Sequence, residues 1–419
     1  MKTPIIRPIT ATLSAIFLLA VVSCSSTDNS TSAQSANQST TAQNTNSSNS
    51  SSANSPLFSD NNVAEAKNFK TTTVLRGLER PWGMEWLPDG AMLITERPGR
   101  VRIVRNGTLE ANPVAGVPEI FAVNQGGLMD VSVHPNFEKN RFVYFTYSHG
   151  TSQANRTRVA RATFDGSTLK NWEVIFEVSQ AKPGGQHFGS RIVWLPDNTM
   201  LVAIGDGGNP PTQLNGDLIR KQAQNLNSHF GKVVRLNDDG SIPRDNPFAT
   251  SDNADKAIWS YGHRNIQGMT IDPINNRLWS TEHGSRGGDE LNLMEAGKNY
   301  GWPEVSYSDE YSGGPVSNVK SRPGVPEPKV VWTPSIAPSG LAFYSNDRFG
   351  VWKGDLFAGG LVSGDVRRID LDGNGNVVKE ESMRIGRRVR DVRQGPDGGL
   401  YVLTDEQDGQ LLSIEPTQS

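Results

Sequence analysis

A short unit recurs six times along the chain: an apolar strand, a turn built from Pro, Asp, Gly or Asn, and a second apolar strand. Residues 83–94 (GMEWLPDGAMLI) and 190–202 (SRIVWLPDNTMLV) are two copies, and the others occupy 127–147, 268–281, 340–357 and 390–403. Alternating apolar residues on either side of a turn signal read as β-hairpins. A repeated unit too small to bury its own apolar face must stack on its neighbours. Units spaced by roughly forty to eighty residues suit an all-β, six-bladed propeller with loop insertions, whereas a β-sandwich has similar strands without this repeated turn. The 42 Gly and 25 Pro point the same way, towards many turns between short strands.

The segment before the repeats is of another kind. Lys2 and Arg7 precede an apolar stretch over 11–22 that is short for a bilayer span but suits the core of a signal peptide, predicted over residues 1–23. The sole cysteine, Cys24, follows directly in LAVVSC, which resembles a bacterial lipobox. That resemblance implies lipidation of Cys24, an exported protein held at the membrane by its N-terminal lipid and facing the periplasm, and no disulfide within the chain. Ser25 stands where an aspartate would signal inner-membrane retention, which leans to the outer membrane. Residues 24–66 are largely Ser, Thr, Asn, Gln and Ala, too poor in apolar groups to offset ordering entropy, and read as a flexible tether. The propeller is expected over 67–419. With 41 basic against 44 acidic residues, scattered rather than clustered, nucleic acid is excluded as a partner.

A propeller hosts many functions, so the inserted loops must decide. They concentrate Gly and charged residues in GGQHFGSR (184–191), YGHRN (261–265) and EHGSRGGDE (282–290). IWSYGHRNIQGM (258–269), GGDELN (287–292), NYGWP (299–303) and RVRDV (388–392) are similar to the motifs of the soluble pyrroloquinoline-quinone-dependent aldose sugar dehydrogenases, relatives of soluble quinoprotein glucose dehydrogenase. The resemblance runs from about Leu78 to Pro416 and implies oxidation of aldose sugars at the anomeric carbon to lactones, with pyrroloquinoline quinone and Ca2+ as cofactors. The chemistry agrees: oxidising an anomeric hydroxyl requires a base for the O–H proton and an acceptor for hydride, and no side chain accepts hydride. The chain has no strand–GxGxxG–helix arrangement for a nicotinamide.

His187 fits the base, since neutral imidazole takes a proton near neutral pH and its Gly-flanked loop could admit a substrate closely. The resemblance places it at the family's catalytic histidine. It also assigns cofactor contacts to Gln125, Arg264, Asn265, Tyr311, the segment Gly360, Leu361 and Val362, and the strand Arg388, Val389 and Arg390. Arg388 and Arg390 alternate on a strand, so both can turn to one face and clamp carboxylates. Each of these has a plainer reading, as a turn amide, a packed tyrosine or a solvated basic strand. His263 and His283 flank the motifs without an assigned role.

Calcium suits carboxylate and carbonyl oxygens. The resemblance implies a structural calcium on Glu290 and the Tyr300 carbonyl, and a cofactor calcium on the carbonyls of Gly284 and Ser285. Two positions depart from the family: Val362 replaces a usual Lys, and Ser285 a usual Pro. The DLDGNGN run at 370–376 lacks the terminal glutamate of an EF-hand and reads as a hairpin turn. Two other classes remain open at this point, a calcium-dependent lactonase and a non-catalytic carbohydrate-binding propeller. The preferred sugar, the electron acceptor and the oligomeric state are not encoded in motifs.

Overall fold

The computed structural model describes residues 55–60 and 62–417. All six sequence hairpins become the inner halves of blades in a ring of antiparallel sheets. Blade one contains Pro81–Trp86, Met92–Glu96, Arg100–Arg105 and Thr108–Leu109. Blade two contains Leu128–Val133, Phe142–Gly150, Asn155–Phe164 and Leu169–Glu177. Blade three contains Ile192–Trp194, Met200–Ile204, Lys232–Leu236 and Ile258–Tyr261. Blade four contains Ile266–Asp272, Arg277–Glu282, Asp289–Met294 and Val330–Trp332. Blade five contains Pro338–Phe343, Leu356–Gly360, Asp365–Leu371 and Val377–Arg384. Blade six takes Val389–Gln394, Leu400–Thr404 and Gly409–Pro416 from the C-terminus and its outermost strand, Phe69–Leu78, from the other end of the domain.

The innermost strand of each blade packs against that of the next, and blade six meets blade one, so the ring closes. Strands such as Met200–Ile204 are buried along their whole length because both faces of a blade are covered by neighbours. The apolar core is accordingly divided among the joints. Leu128, Phe145 and Leu93 lie between blades one and two, and Val366, Val389 and Leu412 between five and six.

Along the axis, equivalent positions of the six inner strands carry Gly83, Asp130, Arg191, Gly268, Gly340 and Asp391. Arg191 crosses the channel and spends its whole guanidinium there. Its Nη1 donates to Asp130 (2.9 Å), its Nη2 to Asp391 (2.8 Å) and its Nε to the Gln267 carbonyl (2.9 Å). The glycines make the room: a Cβ at Gly340 would stand 2.3 Å from Asp391 Oδ1, and one at Gly83 2.8 Å from Asp130 Oδ1.

The loops that enter the first strands and leave the second strands gather at one end of this channel and carry most of the candidate residues, whereas Tyr300 and Tyr311 lie on the long loop between the third and fourth strands of blade four. The expected signal peptide and Cys24 lie outside the described residues. The tether expected over 24–66 ends earlier than its composition suggests. Leu57–Ser59 pairs in parallel with Val330–Trp332, and Ala64–Glu65 with Glu381 and Ser382, because the outer edges of blades four and five offer unpaired backbone that even short polar segments can satisfy. The 370–376 run is a hairpin turn, as its spacing indicates, with Asp372 Oδ1 accepting from the N–H groups of Asn374 and Asn376.

Candidate functional site

His187 is buried in the loop entering blade three, with a backbone φ of +50°. A non-glycine residue in this left-handed region is held there at a cost of about 1–3 kcal/mol by its surroundings. Gln125 Oε1 accepts its N–H (2.9 Å). Gly205 passes so close that a Cβ there would lie 2.2 Å from the His187 carbonyl oxygen. The ring Nδ1 lies 2.6 Å from Asp206 Oδ1. An ionised carboxylate only accepts, so Nδ1 carries the proton and Nε2 keeps its lone pair. Asp206 is fixed in turn by Trp302 Nε1 (2.8 Å on Oδ2) and the Gly208 N–H (3.1 Å). Burial, then the nearby Arg264 charge, lowers the His187 pKa below the ordinary histidine value in spite of Asp206.

Arg264 and Asn265 leave blade three beside this dyad. Arg264 donates to Asn209 Oδ1 (2.7 Å) and to the His283 carbonyl (3.2 Å), and lies over the Trp302 ring at 5.4 Å. Asn265 Oδ1 accepts the Gly189 N–H (3.0 Å), which fixes the loop two residues after His187. Arg264 Nε and Asn265 Nδ2 are both buried without a partner. Such orphaned donors cost about 1–3 kcal/mol each unless something fills the space beside them.

A pocket of about 760 Å³ opens at the same end, lined by Gln125, Leu361, Val362, Arg388 and Arg390 from the predicted set. Arg388 and Arg390 do turn to one face: both reach Asp405, at 3.4 and 2.8 Å. Arg390 is the buried member, with Nη1 on Gln267 Oε1 (2.7 Å) and an orphaned Nε. Arg388 is half exposed and holds the Leu361 carbonyl (3.1 Å). Three predicted contacts differ. The Val389 side chain faces the core between blades five and six, as strand alternation between two inward arginines requires. Tyr311 is 61% exposed at the tip of a long loop and lines none of the pocket. Gly360 is buried as the last residue of its strand, where a Cβ would meet Ser363 Oγ at 2.0 Å, so it shapes the turn into Leu361.

Three of the four proposed metal-binding residues, Glu290, Tyr300 and Gly284, line a small cavity of about 10 Å³, together with Glu282 and Arg264. Ser285 is buried next to it, its N–H on Ser308 Oγ (3.0 Å). Burial first, and then the charge of Glu282, push Glu290 up to about 8. Among the described residues no cluster of three or more His, Cys, Asp or Glu side chains is arranged for a metal, so a cation here draws on backbone oxygens as well. Asp289 organises the loop instead, accepting from the Gly284 N–H (2.7 Å), Ser335 Oγ (2.6 Å) and the Ala337 N–H (2.9 Å).

Asp206, Arg97 and Asp405 belong to the site and escape a search for motifs, while Trp302 and Gln267 lie within the quoted motifs without an assigned role. A signal exists for the acids. Glu96, Glu282, Asp206 and Asp405 each stand at or just past the end of a blade's second strand, where that strand reaches the channel mouth. An acidic residue closing an otherwise apolar strand marks these positions.

Residues 78–413 match the family model described as "Glucose / Sorbosone dehydrogenase". An uncharacterized protein of Synechocystis sp. is 60% identical over 84% of this chain and 88% of its own length. An aldose sugar dehydrogenase of Escherichia coli is 41% identical over 81% of this chain and 91% of its own. The structure of the PQQ-bound form of an aldose sugar dehydrogenase from Streptomyces coelicolor superposes with a TM-score of 0.66 at 26% identity, covering 84% of this chain and all of that one.

Proposed function

We propose, because this chain belongs to the glucose / sorbosone dehydrogenase family, that it oxidises aldose sugars at the anomeric carbon to lactones with calcium and pyrroloquinoline quinone. The observation that carries this is the set of buried donors left unpaired at the channel mouth beside the His187–Asp206 dyad. Arg264 Nε, Asn265 Nδ2 and Arg390 Nε are N–H groups without acceptors. An acceptor-rich anion bearing carboxylates and quinone oxygens suits such a set, and the residues present therefore fit this cofactor. Gln125, Arg264, Asn265, Arg388 and Arg390 would hold it. When bound, the ortho-quinone supplies the electrophile that takes hydride from the sugar. His187 Nε2 receives the anomeric O–H proton, and Asp206 holds the ring in the tautomer that can do so and stabilises the imidazolium that results. Arg264 places positive charge where negative charge develops.

The cavity fits a hard cation on similar grounds: Glu290, pushed up by burial and the Glu282 charge, lines it with Glu282 and Arg264, and a cation would favour the ionised Glu290 carboxylate. Glu290 with the carbonyl of Tyr300 would hold a structural calcium there that braces the loop, and the carbonyls of Gly284 and Ser285 would hold the cofactor's calcium. The proposal extends to an exported lipoprotein anchored through Cys24, facing the periplasm and passing electrons to a separate acceptor. Cys24→Ala should then move the protein from the membrane to the soluble fraction with its activity intact.

The decisive experiment titrates pyrroloquinoline quinone into purified protein with calcium and glucose and follows dye reduction. Saturable, quinone-dependent reduction is expected. Sugar binding or lactone hydrolysis without quinone dependence would replace this reading with a binding module or a lactonase.

A further inference from the structure

Arg97 has no part in the mechanism above, although it stands at the channel mouth. It directly follows the second strand of blade one, Met92–Glu96, and lines the mouth pocket. Its backbone is held on both sides: the N–H donates to the Arg80 carbonyl (3.1 Å) and the carbonyl accepts the Leu128 N–H (3.0 Å). Gly127 passes so close that a Cβ there would lie 2.2 Å from the Arg97 carbonyl oxygen, which fixes the root of the side chain.

The side chain is only 12% exposed, yet its guanidinium is incompletely used. Nη1 donates to the Asn124 carbonyl (2.7 Å). Nε is buried without a partner. Among the described residues Nη2 approaches only Asp405 Oδ1, at 3.6 Å, which is too far for a hydrogen bond and leaves that oxygen unpaired as well. Asp405 is committed elsewhere: its other oxygen takes Arg390 (2.8 Å) and Arg388 (3.4 Å). Four guanidinium groups, those of Arg80, Arg97, Arg388 and Arg390, therefore line a pocket that contains one carboxylate. Arg80 is exposed to solvent, and Arg390 has its hydrogen-bonded anion. Arg97 is the little-exposed arginine of this pocket whose nearest carboxylate stays beyond hydrogen-bond distance. A guanidinium taken from water without its full set of acceptors is costly until an anion supplies them.

We infer that Arg97 is a ligand-binding residue of the mouth pocket, its Nη2 donating to a carboxylate of the bound quinone from the blade-one side. The inference rests on the function proposed above and adds a residue that the sequence motifs do not reach. Arg388 and Arg390 then hold the anion from blade six and Arg97 from blade one, with Asp405 keeping the three guanidinium groups together in the empty pocket.

The test compares wild type, Arg97→Met, which keeps an unbranched stem and loses the guanidinium, and Arg97→Lys, which keeps the charge. Affinity is read by fluorescence titration of calcium-loaded protein without sugar, both for pyrroloquinoline quinone and for its methyl ester with every carboxylate masked. Arg97→Met should weaken quinone binding roughly ten- to a hundred-fold, with partial recovery in Arg97→Lys, and should change ester binding little. Folded Arg97→Met with wild-type quinone affinity overturns the inference. So does an equal loss for quinone and ester, because Arg97 would then only brace the Asn124 carbonyl and the Gln125 that follows it. Where the ester binds too weakly to measure, ionic strength makes the same division: the gap between wild type and Arg97→Met narrows with salt if a charge contact was lost, and stays constant if a brace was. Should Arg97→Met fail to fold, Arg97→Gln replaces it with the same expected outcomes, since its amide can still donate to the Asn124 carbonyl. Wild type that binds no quinone takes the functional reading down as well, which separates the two failures.

Discussion

The channel axis and the channel mouth are built from the same residue types and differ in how completely those residues are paired. On the axis every guanidinium nitrogen of Arg191 has an acceptor, with Asp130, Asp391 and the Gln267 carbonyl closing around it. At the mouth Arg264 and Arg390 are equally buried, yet each keeps an unpaired Nε, and Asn265 and His283 each keep an unpaired nitrogen. A saturated network holds blades in register. An unsaturated one stores a cost that only a ligand removes. Burial of charge alone would have marked both regions as functional, whereas the inventory of unpaired atoms separates them.

The largest effect should come from the mouth. His187→Ala removes the base while leaving Arg264, Asn265 and Arg390 in place, so turnover should fall roughly 100- to 10,000-fold with quinone binding retained. Arg264→Ala should impair quinone retention and reduction together. Stopped-flow absorbance of the reconstituted protein at saturating sugar separates these outcomes, and near-normal reduction by fully loaded His187→Ala would eliminate the base assignment. The pH dependence is a companion measurement. His187 titrates below its ordinary value, so the neutral base persists on the acid side, and the acidic limb of kcat/KM should lie below about 6.5.

The axis gives the converse. Arg191→Met leaves buried Asp130 and Asp391 with one of their two shared cations, Arg393, and should cost at most about 3–5 kcal/mol of stability. Urea unfolding would show it as a lower midpoint with an unchanged slope. Arg191 itself lines none of the mouth pocket and reaches it only through Gln267, whose carbonyl it holds, so quinone affinity per folded molecule should change far less than stability. A mutant as stable as wild type but defective in quinone binding would abolish the distinction between the two regions.

The same contrast explains what was legible beforehand. Hairpins repeat in sequence because each blade solves the same packing problem, and all six copies locate inner strands. Alternation correctly turned Arg388 and Arg390 to one side, and the same alternation should have sent Val389 to the core. Pairing between distant blades leaves no local trace, so Asp206 under His187, Trp302 beneath Arg264 and Asp405 between two arginines become visible only when the ring closes. Tyr311 shows the opposite limit: a motif neighbour on a long loop, placed by the loop's own path, stands exposed. The parallel pairing of Leu57–Ser59 was hidden for a third reason, since backbone alone makes it.

The small cavity lies between these extremes, lined by the carboxylates of Glu282 and Glu290 and by the Arg264 cation. Burial and Glu282 raise Glu290 to about 8. Without calcium, the folded protein keeps a proton there that the unfolded chain releases near about 4.3. Stability should therefore fall as pH rises through that window and level off above about 8. Calcium takes the ionised carboxylate, so the stabilisation on adding it, read as a rise in Tm, should widen from pH 6 to pH 8, a hundred-fold excess over Kd being worth about 2.7 kcal/mol of stability. Glu290→Gln should flatten the pH slope and remove most of that gain. An equal calcium shift in both proteins would take Glu290 out of the ligand set.

The smallest effect tests how far the mouth's demand for partners reaches. Val362 lines the pocket rim and is 67% exposed, at a position where the sequence resemblance implies a Lys. The buried arginines act in a medium that screens little, but an ammonium at this rim would face water and salt. Its attraction for a carboxylate-bearing quinone should then be worth about 0.2–1 kcal/mol, a gain in affinity of no more than about five-fold. Screening makes the prediction sharper: the gain from Val362→Lys should fade as ionic strength rises from about 0.01 to 0.5 M, while binding through buried Arg390 persists. Titrations of wild type and Val362→Lys at both salt concentrations measure this directly. A gain of a hundred-fold, or one insensitive to salt, would mean that the rim closes over the bound cofactor and that residue 362 belongs with the buried set.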